Sequence, residues 1–182
     1  MKKSEAPIIA TRDLFIGPAD APVTILEFAD YETETALTAH LAVKQVLLQY
    51  EGKVRFSYRH FPLRRIHQKA QKAAEAAVGA AQEGLFWEMH ERLLQNRRNL
   101  GTISLNSYAK EIGVTSKRFL DALINGTYAW TVQDDLDEGL RLGVNSVPTF
   151  FINGEKLEGE ATAEKLRVKI EEALAKANAQ SS

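Results

Sequence analysis

The chain of 182 residues contains no cysteine. It therefore gives no redox clue to its compartment, and its four histidines have no thiolate with which to share a metal ion. An excess of charge is also absent. The formal net charge of −1 at pH 7 gives no overall electrostatic case for binding nucleic acid or an anionic membrane. No apolar run approaches the length that spans a bilayer.

What is present is typical of a globular protein, with 45% hydrophobic and 26% charged residues. The length predicts one domain, residues 1–182, with a sizeable core. The segment Met1–Glu5 has the two lysines of a signal peptide, but Glu5, Pro7 and Arg12 interrupt the apolar stretch that should follow. We therefore predict a cytoplasmic protein, although a chain from which an export signal had been removed would look the same.

The most informative segment is Val147–Gly154. Phe150–Ile152 is a short apolar run that favours a strand, and Asn153-Gly154 is a strong signal for a hairpin turn. Pro148 stands where the strand should begin. Because proline cannot donate to a strand ladder, it must lie at an edge, at a strand start or in a special turn.

A second informative segment lies upstream. The pattern predicts a buried strand over Val23–Phe28, a helix over Thr35–Tyr50 that Gly52 stops, and a strand over Lys53–Arg59. If the two strands are parallel neighbours, this is a right-handed crossover unit. In the second strand, Val54, Phe56 and Tyr58 alternate with more polar residues.

Between Arg59 and Pro148 the pattern is almost wholly helical. The predicted helices are His67–Gln82, Phe86–Asn96, Leu105–Ile112, one capped by Thr115 or Ser116 that runs to Ile124, and Tyr128–Leu142. A final helix over Thr162–Ala177 should cover the back of the sheet. The tail from Asn178 to Ser182 is predicted to fray.

Several strings in this order resemble the DsbA-like branch of the thioredoxin superfamily: Leu26-Glu27-Phe28, Arg59-His60-Phe61-Pro62-Leu63, His67 with Ala70, Phe86-Trp87-Glu88-Met89-His90, and Gly143 through Gly154. The resemblance runs from about Phe15 to about Leu174. It implies an α/β thioredoxin-like fold with a cis bond before Pro148. It also implies a helical subdomain, about residues 64–143, inserted between the second strand and the cis-proline strand as a lid over the active face.

The chain departs from this family at its reactive centre. The family places a Cys-x-x-Cys pair at the start of the first helix, where this chain has Thr33 and Ala36. Thiol–disulfide exchange needs a thiolate that attacks sulfur, and neither residue can supply one. Neither change is the usual replacement of cysteine by serine, which argues against an engineered variant.

Two residues are candidates for remaining chemistry. The resemblance implies that Glu27 is a buried acid that moves protons, and burial would raise its pKa; the alternative is an acid at a strand edge paired with a lysine or arginine. Thr33 is most simply the N-cap of the first helix, or else its hydroxyl bonds a ligand. Asp30, Glu32 and Glu34 are expected to complement the helix dipole and to repel an anionic ligand.

Other polar and aromatic residues are interpreted as structural. We expect partly buried or helix-end histidines and no metal site, because no two histidines have a metal-ligand spacing; they are His40, His60, His67 and His90. We expect two small solvated basic spots, made by Arg59, Arg64, Arg65, Arg97 and Arg98. Trp87 and Trp130 are predicted to pack in the helical subdomain, unless one of them lines the groove.

Three functions remain open. The first is a redox-inactive protein without a cofactor that binds an extended peptide or a protein partner at Thr33, Ala36, Val147 and Pro148. The second is an enzyme that resembles kappa-type glutathione transferases, with Thr33 stabilising the thiolate of bound glutathione and Val147 binding its backbone. The third is the family's own activity, thiol–disulfide oxidoreduction, which the missing cysteines disfavour.

Overall fold

A computed structural model describes residues 6–182. The segment Met1–Glu5, on which much of the prediction about export rests, lies outside the described residues. Within them, no helix is both long enough and apolar enough to cross a membrane.

The described chain contains four strands and seven α-helices. The strands are β1 (Val23–Ala29), β2 (Val54–His60), β3 (Thr149–Ile152) and β4 (Glu155–Lys156). The helices are α1 (Ala36–Gln49), α2 (Ala70–Ala81), α3 (Phe86–Gln95), α4 (Thr102–Glu111), α5 (Phe119–Asn125), α6 (Ala129–Arg141) and α7 (Ala163–Gln180). A short 3₁₀ helix, Thr11–Asp13, precedes β1. The helices α2–α6 all lie between β2 and β3, as the resemblance implies.

The strands form one sheet in the order β2-β1-β3-β4. β1 and β2 are parallel neighbours, which confirms the predicted strand, helix, strand unit, and β3 runs antiparallel to β1. The hairpin signal is also confirmed: Asn153 and Gly154 adopt φ angles of 48° and 82° between β3 and β4. Positive φ at both central residues is the backbone that a tight hairpin turn requires.

The two faces of the sheet bury different residues. Because side chains alternate along a strand, Ile25 and Glu27 lie on one face and Phe28 on the other. The first face carries the main core, to which α1, α2, α3 and α7 contribute. The second carries a smaller cluster under α6, made by Phe28, Phe61, Val144 and Phe151. Gly139 of α6 fits there because a Cβ at that position would lie 2.6 Å from the Phe61 ring.

Four predicted boundaries are wrong. α2 begins at Ala70 rather than His67, and α4 begins at Thr102 rather than Leu105. α5 begins only at Phe119, because Thr115 and Ser116 are used elsewhere: their backbone N–H groups donate to the Glu83 carboxylate at 2.9 and 3.3 Å. The C-terminal tail does not fray after Ala177, since α7 continues to Gln180. At its other end, Thr162 caps α7 by accepting a hydrogen bond from the Lys165 N–H.

The two tryptophans differ. Trp87 packs against Phe56 and Phe86 with ring centroids 5.8 and 4.9 Å apart, as predicted. Trp130 does not pack in the helical region, because 77% of it is exposed on α6.

Candidate functional site

The register of the sheet brings the two informative segments together. Phe28 of β1 lies opposite Thr149 of β3. The residues that follow Phe28 and those that precede Thr149 therefore share one end of the sheet. Val147 and Pro148 are half-buried there, and the peptide bond between them is cis.

Asp30 organises the segment that joins β1 to α1. Its carboxylate is 2% exposed and accepts four hydrogen bonds. Oδ1 accepts from the Thr33 N–H at 2.8 Å and from the Thr33 hydroxyl at 2.7 Å. Oδ2 accepts from the Leu63 N–H at 3.0 Å and from His67 Nδ1 at 2.7 Å. One buried carboxylate therefore ties the start of α1 to the chain beyond β2.

Thr33 is not the N-cap of α1, because Thr35 occupies that position and makes no side-chain cap hydrogen bond. The Thr33 hydroxyl donates to Asp30 instead. Thr33 and Ala36 are only 9% and 3% exposed, so these two predicted ligand contacts offer little surface. The exposed residues of this segment are Glu34 and Thr35.

The other two acids of the segment also have specific roles. Glu32 accepts a hydrogen bond from the Lys69 N–H at 2.8 Å, at the start of α2. Glu34 is exposed and lies 3.9 Å from Arg97. Since α1 begins at Ala36, its first turn contains no acid, and the predicted dipole complementarity is replaced by these contacts.

Glu27 is buried, as predicted, and is 2% exposed. It stands between Tyr58 of β2 and Phe150 of β3 in the register of the sheet. Burial raises the pKa of Glu27 from 4.5 to about 8. The carboxyl group is therefore neutral at pH 7, two residues before the end of β1.

Beside Glu27, three histidines and two tyrosines form a buried cluster that we call the His–Tyr cluster: His40, His60, His90, Tyr31 and Tyr58. The Tyr31 hydroxyl and His90 Nδ1 share a hydrogen bond of 2.9 Å. His40 Nε2 donates to Glu91 at 2.7 Å, which links the cluster to the surface. The sequence spacing of these residues gave no sign of this arrangement.

Several polar atoms of the His–Tyr cluster have no hydrogen-bond partner among residues 6–182: His40 Nδ1, Tyr58 Oη, His60 Nε2 and His90 Nε2. Burial lowers the pKa of His60 to about 3, and the nearby Arg59 acts in the same direction. Burial also lowers the pKa of His90 well below its usual value. His60 and His90 are therefore neutral at pH 7. Within the described residues, no cluster of histidine, aspartate and glutamate could hold a metal ion.

Arg59 lies on the opposite face of the sheet and is buried rather than solvated, which corrects the predicted basic surface spot. Its Nε donates to Asp135 at 2.6 Å, and its Nη2 donates to Glu138. The second Asp135 oxygen accepts from the His60 N–H at 3.1 Å. Burial lowers the pKa of Arg59, but the two carboxylates together raise it by more, so the guanidinium stays charged in the core.

The chain matches the family model described as thioredoxin over residues 10–172. It is 38% identical over 171 residues to the Na⁺/H⁺ antiporter NhaA 3 of Salinispora tropica, a match that covers 94% of this chain. The chain spans only 26% of that antiporter's length.

Solved structures agree on the fold. The crystal structure of oxidised BdbD from Bacillus subtilis superposes with a TM-score of 0.81 at 23% identity, covering 88% of this chain and 92% of BdbD. The thiol-disulfide exchange protein alpha-DsbA2 of Wolbachia pipientis gives a TM-score of 0.75 at 20% identity, covering 87% and 85% of the two chains. The fold is therefore DsbA-like and thioredoxin-like, with no cysteine at the reactive centre.

Proposed function

We propose that this chain, which belongs to the thioredoxin family, binds an extended peptide at Val147 without exchanging disulfides. The observation that carries the proposal is the backbone of Val147. Within residues 6–182, its N–H and C=O make no hydrogen bond, although the residue is half-buried. Backbone groups at such a position need partners, and water or a ligand must provide them.

An extended peptide suits this position. Val147 lies two residues before β3, at the end of the sheet, and its donor and acceptor are unpaired within residues 6–182. A peptide that adds there as a short strand would gain main-chain hydrogen bonds to both groups. The exposed residues Glu34 and Thr35 share this end of the sheet and would form the neighbouring wall.

The chemistry of the site supports binding over disulfide exchange. The chain has no cysteine, and the mixed disulfide through which exchange proceeds cannot form on threonine or alanine. The chain is therefore redox-inactive as a thiol–disulfide exchanger.

A glutathione-transferring enzyme has less support. Such an enzyme would need the Thr33 hydroxyl to donate to a thiolate, but this hydroxyl already donates to the Asp30 carboxylate at 2.7 Å. The exposed carboxylate of Glu34 follows directly and would repel the anion. Glu27 is buried behind this segment, and a role in moving protons would need a reacting group that the chain does not supply.

We do not assign sodium–proton antiport to this chain. The relative of that name is about four times as long as the matching region, since the chain spans 26% of it. The cytoplasmic location stays a prediction. One of the structural neighbours is a periplasmic thioredoxin-like protein from Salmonella enterica, at 21% identity.

The binding proposal is tested with three octapeptides of one sequence rich in threonine and valine. The first is unmodified, and the other two carry N-methyl groups on alternate residues, so that each blocks the N–H groups of one edge of the extended peptide. We expect calorimetry to show that the unmodified peptide binds and that only one methylated peptide loses affinity, by about tenfold or more. Equal affinity of all three peptides would show that no strand is added.

The absence of thiol–disulfide exchange is tested with an assay that follows the reduction of insulin by dithiothreitol. The chain should show no catalysis above the uncatalysed rate. The double variant Thr33→Cys/Ala36→Cys should gain catalysis, because it restores two thiols to the start of α1. Turnover by the unmodified chain would contradict the account.

A further inference from the structure

A recess on the helical region carries features that peptide binding at Val147 does not use. It has a volume of about 390 Å³ and lies between the start of α2, the start of α6 and the loop after β2. Its lining includes Arg64, Gln71, Lys72, Glu75, Trp130 and Gln133. We call it the Arg64–Trp130 recess.

Arg64 is held in the recess by two glutamine side chains. Its Nε donates to Gln71 Oε1 at 2.8 Å, and its Nη1 donates to Gln133 Oε1 at 2.9 Å. The amide nitrogens of the same glutamines donate to Glu75 at 3.3 Å and to Asp137 at 2.7 Å. These carboxylates fix the orientation of each amide, so that its oxygen is turned to the guanidinium. Within residues 6–182, the guanidinium is therefore positioned without an ion pair to a carboxylate.

The positive charge of Arg64 remains available to a ligand. Arg64 is exposed, and its Nη2 has no hydrogen-bond partner among residues 6–182. Lys72, in contrast, is paired with the buried carboxylate of Glu75 at 3.2 Å and donates to the Leu123 carbonyl. A guanidinium that is fixed in place and has a free edge is suited to a carboxylate, which can accept from two of its N–H groups.

The recess also has an apolar wall. Trp130 is 77% exposed, although its indole is among the largest apolar surfaces that a residue can offer. Tryptophan and arginine are the residues most enriched where a few side chains carry the binding energy of a protein interface.

We propose that the Arg64–Trp130 recess binds a segment of a partner protein in which an aspartate or glutamate stands beside an apolar residue. The acidic side chain would pair with the free edge of Arg64, and the apolar side chain would cover the Trp130 indole. This surface is separate from Val147, and the proposal does not depend on strand addition there.

The test is an NMR titration that observes the indole N–H of Trp130. The chain has two tryptophans, so the spectrum contains two indole signals, and Trp130→Phe assigns them. The probes are two blocked heptapeptides with the same flanks, one with the central sequence Leu-Asp-Phe and the other Leu-Asn-Phe. We expect the aspartate peptide to shift the Trp130 signal in a saturable way and to bind at least about tenfold more tightly than the asparagine peptide.

Variants test whether the guanidinium of Arg64 binds the acidic side chain of the peptide. Arg64→Gln should weaken binding of the aspartate peptide by about tenfold or more, and Arg64→Lys should weaken it by less, because it keeps the charge and loses the planar fork. Arg118→Gln is the matched control, since Arg118 is exposed on the helical region and its side chain has no partner within residues 6–182. It should leave the affinity unchanged.

Three results would overturn the proposal. These are equal affinity for the two peptides, unchanged binding by Arg64→Gln, and an equal shift of the Trp130 signal by inorganic phosphate at the same concentration. The last result would show a site for small anions rather than for a peptide. If the recess binds and the N-methylated octapeptides show no strand addition at Val147, this proposal stands while the proposed function fails.

Discussion

The two faces of the central sheet bury ionisable groups in opposite ways. On one face, Glu27, His60 and His90 are buried in their neutral forms, and several polar atoms around them lack partners in the part of the chain that the structure describes. On the other face, Arg59 is buried in its charged form against Asp135 and Glu138. Neighbouring residues of β2, Arg59 and His60, belong to different faces because side chains alternate along a strand.

The difference shows what decides the charge state of a buried group. A buried charge is tolerated when an opposite charge and hydrogen bonds compensate for the lost water, as at Arg59. Without such a partner, the group shifts its pKa and becomes neutral, as Glu27 does. The neutral face lies beside the reactive centre of the family's fold, and the charged face lies under α6.

The largest effect is expected from Arg59→Met. Burial already raises the pKa of Asp135 to about 6 beside Arg59, so without the guanidinium Asp135 must either take up a proton or remain as an uncompensated buried charge. We expect a loss of about 3–5 kcal/mol in the free energy of unfolding, measured with urea at pH 7. The control Arg65→Met, at an exposed residue, should change stability by less than about 0.5 kcal/mol.

A double variant tests whether the pairing is the cause. Arg59→Met/Asp135→Asn removes both buried charges, keeps an acceptor for the His60 N–H and should recover most of the loss, since the two residues interact directly. A loss below about 1 kcal/mol for Arg59→Met alone would contradict a charged pair in the core.

A smaller effect is expected from Glu27→Gln, and it depends on pH. The folded pKa of Glu27 is about 8 and the unfolded value is 4.5, so between these values the folded protein binds one more proton. Stability should therefore fall as the pH rises from 4.5 to 8, by roughly 3 kcal/mol between pH 5 and pH 7. Urea unfolding at pH 5, 7 and 9 should show this decline, and Glu27→Gln should lack it. Identical pH profiles of the two proteins would show that Glu27 is ionised in the fold.

The smallest of these effects is expected from His60→Phe. This change replaces a buried ring nitrogen that has no partner within residues 6–182 and should stabilise the protein at pH 7 by about 1–3 kcal/mol. The pKa of His60 is lowered to about 3, so the unfolded chain binds the extra proton between pH 3 and 6.5. Stability should therefore fall as the pH drops through this range, and His60→Phe should reduce the fall. A destabilised variant would indicate that the imidazole makes a needed contact.

The fold was predictable because its signals are local. The strand over Val23–Ala29, the helix from Ala36 and the hairpin at Asn153-Gly154 each follow from short runs of residues. Gly52, with φ of 79°, marks the end of α1 as its position suggested. Burial of Glu27 was expected from the resemblance and is confirmed.

The details of the site were not predictable, because they depend on residues that are far apart in the chain. In the alternating pattern of β2, Arg59 occupies a position that predicts a solvated side chain. Its burial is explained only by Asp135, which is 76 residues away in the chain. The histidines of the His–Tyr cluster come from three different elements. Threonine is a residue type that often forms an N-cap, yet the Thr33 hydroxyl donates a hydrogen bond to the Asp30 carboxylate instead. An acid three residues before a threonine at a helix start was the one local sign of this contact.

The central claim is that Val147 offers its backbone to an added peptide strand. The most direct measurement is hydrogen exchange at the Val147 amide, followed by NMR with and without the unmodified octapeptide. The account predicts that saturating peptide slows exchange at Val147 by tenfold or more, and that the edge-blocked peptide does not. Unchanged exchange at Val147 in the presence of a bound peptide would contradict it.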